Sequence, residues 1–176
     1  MRTNTRSLTL SALFIALGIL VPQVFHLFGG TGPVFLPMHI PVLLAGFIIG
    51  GRYAAITGFA AVILSSLLTG MPQPPVLYFM LVEVTVYGFA AGLFYRKMKL
   101  NAFISLILAM LTGRAALAIT VFSLQPLLGL KLSPAVYMTG AIINGIPGIA
   151  IQLLLIPFLV LSLEKAGVHF SERKAG

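Results

Sequence analysis

Between Arg6 and Arg52 the chain carries no charged side chain, and the same is true between Arg52 and Glu83 and between Lys131 and Glu164. Stretches of this length cannot coat a water-soluble core, because a soluble domain draws roughly a quarter of its residues from Asp, Glu, Lys and Arg. Here the charged share is 8% against 59% hydrophobic, and the mean hydropathy is +1.09. The apolar surface calls for lipid, and a helix of about 20 apolar residues crosses a hydrocarbon core of about 30 Å. Glycine and proline clusters divide the uncharged stretches. They place six expected transmembrane helices at about 7–27, 37–50, 52–68, 75–95, 101–124 and 134–163. The second of these is short, with Pro41 in its first turns. A chain of 176 residues then has room only for short loops at 28–36, 70–74, 96–100 and 125–133. The expected fold is a single all-α membrane domain over 1–176.

The net charge of +8 has a topological reading. With six crossings and the N-terminus in the cytoplasm, Arg2, Arg6, Arg52, Arg96, Lys97, Lys99, Lys165, Arg173 and Lys174 all fall on the cytoplasmic side, and Lys131 alone falls outside. An excess of Lys and Arg in cytoplasmic loops sets orientation, so both termini are expected inside. Nucleic acid is not an expected partner. The basic segment 1–7 followed by an apolar run resembles a secretory signal, but the run is long for one and further hydrophobic segments follow, so a retained first helix is expected. There is no cysteine, hence no disulfide and no thiolate metal site.

Two charges fall inside expected helices, Glu83 and Arg114. Ionised groups at membrane depth are costly and turn towards the protein interior. At 1.5 Å per residue Glu83 lies about 12 Å below the outer boundary and Arg114 about 20 Å above the inner one. In a core of about 30 Å the two share one level, slightly to the outer side of the midplane. Asn144 reaches a similar depth on the last helix. Three polar groups on three helices at one level fit a ligand site. They equally fit a structural ion pair between neighbouring helices, and the two readings are compatible because a paired Arg keeps spare N–H donors. Tyr87 lies one turn below Glu83 and Tyr78 between one and two turns above it; a tyrosine offers both a ring and a hydroxyl, although Tyr78 also fits an interfacial position. His39 stands at the outer start of the second helix, with no His, Asp or Glu spaced to complete a metal site. His26 and His169 look terminal.

Small residues recur four apart as Ala12 and Ala16, Gly46 and Gly50, and Gly88 and Gly92, a spacing that lets membrane helices approach closely. There is no G-x-x-x-x-G-K-S/T phosphate loop, no H-E-x-x-H, no G-x-S-x-G and no aspartate. An enzyme is not expected, nor a cofactor, nor a metal.

Three features resemble the S components of energy-coupling factor (ECF) transporters. One is the size and the six-helix plan. Another is Ala12-Leu13-Phe14-Ile15-Ala16, which matches the family's AxxxA signature. The third is the run Leu36-Pro37-Met38-His39-Ile40-Pro41-Val42-Leu43-Leu44-Ala45-Gly46, with Leu67-Leu68-Thr69-Gly70-Met71-Pro72, Tyr87-Gly88 and Gly92-Leu93-Phe94-Tyr95-Arg96. It is similar to a branch carrying Met-His-Ile-Pro-Val on the second helix. The resemblance implies a prokaryotic plasma-membrane protein that binds a vitamin near the outer face, in a pocket built from the last three helices and closed by the loop after the first, here 28–36. It implies a transmembrane T subunit meeting Ala12 and Ala16, and two separate ATPases. Within that branch pantothenate and cobalamin-related precursors are the favoured ligands, with Arg114 as the group to hold a carboxylate and Glu83 as a feature that argues against a purely anionic one. Two other readings are a membrane scaffold in which Glu83 and Arg114 only join helices, and a small self-sufficient transporter coupled through Glu83.

Overall fold

Two of the long helices, Ala102–Leu127 and Pro134–Lys165, each begin at a side chain that caps an unpaired backbone amide. The computed structural model describes residues 5–27, 32–129 and 133–167. In chain order the elements are α1 (Thr5–Leu27), α2 (Gly32–Phe35), α3 (His39–Ile49), α4 (Gly51–Thr69), α5 (Val76–Gly92), α6 (Ala102–Leu127) and α7 (Pro134–Lys165), with α5 running on into a π-helical turn at Leu93–Lys97. The Asn101 side chain accepts from the Ile104 amide at 2.7 Å, and Ser133 from the Val136 amide at 3.3 Å. Both are N-caps that satisfy an otherwise orphaned donor, and Pro134 follows in the first helical position, where its missing N–H costs nothing. Gly50, at φ +89°, makes the sharp turn between α3 and α4, and Gly70, at φ +73°, ends α4.

Among the described residues five helices are long and apolar enough to cross a membrane: α1, α4, α5 with its π turn, α6 and α7. The expected span at 37–50 condenses into the 11 residues of α3, about 16 Å of helix against a core of about 30 Å. Eight of those 11 residues are buried, because α3 is sheathed by α1, α4 and α5. A short helix is tolerated at membrane depth when protein rather than lipid surrounds it. The outer helices are different: Leu20, Ile56, Leu111, Ile119, Leu154 and Phe158 are all exposed, as side chains that face acyl tails must be.

The α3–α4–α5 contact is closed by small residues. A Cβ on Gly88 would lie 2.6 Å from the Ala54 carbonyl oxygen, and one on Gly46 would lie 2.8 Å from the Gly88 carbonyl oxygen. Backbones meet directly there, as the four-residue spacing of Gly46, Gly88 and Gly92 suggests. Ala12 and Ala16, by contrast, are exposed on α1.

Three expected loops are corrected. Residues 96 and 97 are helical, and Arg96 is buried with Nη1 donating to the Ile48 carbonyl at 3.2 Å. The last carbonyls of α3 have no intrahelical donor, which gives a buried guanidinium a partner. Beside it the Tyr95 hydroxyl donates to Glu164. At 125–133 the helix α6 continues to Leu127, with Gln125 buried. Within 28–36, residues Gly32–Phe35 form α2. The remainder at 28–31, the stretch 130–132 with Lys131, the side chain of His26, and the terminal residues Arg2, His169, Arg173 and Lys174 lie outside the described residues.

Candidate functional site

A cavity of about 710 Å³ lies at the end of the bundle where α4 finishes and where α5 and α7 begin. Its size is that of a small-molecule pocket, and such pockets combine an apolar wall with a few placed polar groups. The wall includes Met38, Met71, Met80 and Leu117; the polar groups include His39, Glu83, Arg114, Tyr137 and Asn144.

Glu83 and Arg114 form the polar end. Arg114 Nη1 is 2.9 Å from Glu83 Oε1, and Glu83 is only 3% exposed. A lone buried carboxylate would be prohibitive, and the guanidinium supplies its counter-charge. On the other side, His39 Nε2 lies 3.6 Å from Glu83 Oε2, beyond hydrogen-bond length but close enough for electrostatic contact. Tyr87 meets the His39 ring edge to face, with centroids 5.1 Å apart. Arg114 Nε and Nη2 are buried without a hydrogen-bond partner, as are both ring nitrogens of His39. Gly145 makes room for this guanidinium: a Cβ there would lie 3.2 Å from Arg114 Nη2.

Two flanking segments are held in place by side chains. Ser65 Oγ donates to the Met71 carbonyl at 2.8 Å and Ser66 Oγ to the Pro72 carbonyl at 3.0 Å, so the turn after α4 folds over the cavity wall. The segment 34–36 leans on α7. A Cβ on Gly148 would lie 2.6 Å from the Phe35 carbonyl oxygen, and Gln152 Nε2, on a buried side chain, donates to the Leu36 carbonyl at 3.5 Å. Leu36 itself sits at φ +49°, a conformation that costs a non-glycine residue energy and persists only where neighbours hold it.

Of the residues singled out from the sequence, His39, Glu83, Arg114 and Asn144 all line the cavity. Tyr87 lies just behind it, buried against His39. Tyr78 does not belong to the cavity: it is 43% exposed and absent from the wall. The physical reason is rotation. Five residues carry Tyr78 about 140° round the helix from Glu83, whereas four carry Tyr87 only about 40°. Sequence reasoning missed Tyr137, whose ring meets Phe79 edge to face at 5.2 Å. The spacing of Tyr137, Gly140, Ala141 and Asn144 at i, i+3, i+4 and i+7 marks one helix face and could have identified it. Among the described residues no group of three or more His, Cys, Asp or Glu could hold a metal ion.

No curated protein and no solved structure matches the chain. A family model described as ECF transporter, substrate-specific component, matches residues 6–160, a stretch that includes every residue of the cavity wall from Pro22 to Asn144. A bundle of apolar helices enclosing a small-molecule cavity, matched over most of its length by that model, belongs to the family of ECF transporter substrate-specific components, which are multi-pass membrane transport subunits.

Proposed function

We propose that this chain is the substrate-binding subunit of an ECF-type ABC importer for a vitamin or vitamin precursor in a prokaryotic plasma membrane. The observation that carries the reading is the half-buried Arg114, whose Nε and Nη2 are buried without hydrogen-bond partners, set in the wall of a cavity of about 710 Å³. Buried donors without partners are rare and costly, and a ligand acceptor at Arg114 Nε and Nη2 removes that cost. In this role Arg114 binds the ligand and Glu83 balances and orients the guanidinium. His39, Asn144 and Tyr137 offer further polar contacts, and Tyr87 supports His39 from behind. Pantothenate and cobalamin-related precursors are the candidates the family branch suggests, and the cavity volume suits a compact ligand.

The topology proposed with it has six crossings, α3 making the sixth within its sheath of helices, and both termini in the cytoplasm. Arg52, Lys97, Lys99 and Lys165 then lie at the cytoplasmic end, and the cavity opens towards the outside. Energy comes from partners: a transmembrane T subunit docked on the exposed Ala12 and Ala16 face, and two ATPases. Membership of the family favours this arrangement over a scaffold or a self-sufficient transporter coupled through Glu83.

The test is a thermal-shift screen of the purified full chain against a vitamin panel. A ligand that binds only the folded state stabilises by about 2.7 kcal/mol at 100 times its Kd. A concentration-dependent rise in Tm with one compound is expected; a panel that leaves Tm unmoved contradicts the reading.

A further inference from the structure

We infer that the cavity selects an electroneutral ligand whose polar end is a carbonyl-type acceptor, such as an amide, lactam or ureide, over the corresponding carboxylate. This rests on the cavity being the ligand site, as proposed above, and of the ligands the family branch suggests it ranks pantothenate, an acid, below a neutral precursor.

The inference comes from a charge census. Among the described residues of the cavity wall only Glu83 and Arg114 carry a fixed charge, and they already neutralise each other at 2.9 Å. The guanidinium still requires acceptors, because its Nε and Nη2 are buried without partners. It does not require another negative charge. A ligand carboxylate at those atoms would share one guanidinium with the Glu83 carboxylate, and like charges in one buried site disfavour each other's ionised forms. A neutral carbonyl satisfies the same donors and leaves the site without net charge, which avoids the cost of burying an unpaired ion.

Among the described residues three other titratable side chains face the pair. His39 faces the Glu83 carboxylate at 3.6 Å. Tyr87 and Tyr137 are the other titratable side chains beside the pair, and both are neutral phenols. The wall also holds the Ser65 hydroxyl and two neutral amides, Gln73 and Asn144; an amide side chain can both donate and accept, a match for an amide or ureide. The rest of the ligand meets Met38, Met80 and Leu117, where the unbranched thioethers adapt to an irregular apolar body.

The experiment uses matched pairs of compounds that differ in this one group: pantothenate and pantothenamide, nicotinate and nicotinamide, biotin and biotin amide. Binding to the purified full chain is measured at neutral pH by thermal shift and equilibrium dialysis, alongside the wider vitamin panel. Wherever a pair binds, the neutral member is expected to bind at least about tenfold more tightly. In Glu83→Gln, where Arg114 is left uncompensated, the preference should turn towards the acid. An acid that binds wild type as tightly as its neutral partner overturns the inference while leaving the binding site in place. A folded Glu83→Gln that keeps the neutral preference overturns it too; should that variant not fold, the wild-type pairs decide alone. If no compound of either panel binds, the assignment of the cavity as the ligand site falls, and the inference with it.

Discussion

Arg114 of α6 and Glu83 of α5 meet at 2.9 Å inside the bundle, so one contact both joins two helices and forms the polar end of the cavity. Removing one partner of a buried pair leaves an uncompensated charge and typically costs about 3–5 kcal/mol. Arg114→Ala should therefore unfold at markedly lower temperature. The double variant Glu83→Gln/Arg114→Gln should recover most of that loss, since it buries no charge, yet it should no longer respond to ligand. Melting curves with and without the compound found by the vitamin screen separate these outcomes. A double variant that still binds would leave the pair a purely structural clamp.

Gly88 and Gly140 should respond oppositely to alanine. At Gly88 the added Cβ meets the Ala54 backbone at 2.6 Å, which no rotamer change relieves, and overpacking of this kind costs about 1–3 kcal/mol. At Gly140 nothing lies within 4 Å, and alanine is favoured over glycine in a helix by about 0.5–1 kcal/mol. Thermal unfolding of the two variants should bracket the wild type.

The segment 34–36 should control how long a ligand stays. Gln152→Ala removes the hydrogen bond to the Leu36 carbonyl, worth about 0.5–1.5 kcal/mol, and Gly148→Ala forces the Phe35 carbonyl away from α7. Both should speed ligand dissociation by up to about tenfold, read by stopped-flow or filter release. Unchanged release would mean that this contact only fastens the fold.

Ala12 and Ala16 are exposed on α1, so larger side chains there meet no neighbour within the chain. Ala12→Leu/Ala16→Leu should keep ligand affinity within about twofold while abolishing co-purification with the T subunit, whose close approach needs small residues. Retained association would place the docking face elsewhere.

At the opposite end of the bundle, Tyr95→Phe removes the phenol that donates to Glu164. The expected loss is about 1 kcal/mol in unfolding, with ligand affinity unchanged, because the cavity lies at the other end.

The ion pair was legible in the sequence because depth along a helix is simple arithmetic and two isolated charges in uncharged runs have few other options. Depth alone misplaced Tyr78, since it ignores rotation about the helix axis. The contact between His39 and Glu83 left no pattern to read: the residues lie on different helices, and only their packing brings them together. The shortness of α3 was hidden by its composition, which is as apolar as that of a full span, and its burial among neighbouring helices comes only from packing. Arg96 looked like one more cytoplasmic cation until the α3 carbonyl it caps was in view. Ser65 and Ser66, which hold the turn at 71–72, are ordinary serines in the sequence; side-chain bonds to backbone six residues away carry no periodic signal.

The most direct measurement is a structure of the purified chain with the compound that raises its Tm. If the cavity is the binding site, the ligand occupies it with an acceptor atom within about 3.2 Å of Arg114 Nε or Nη2. Ligand density elsewhere, with those two nitrogens still unpartnered, would contradict it.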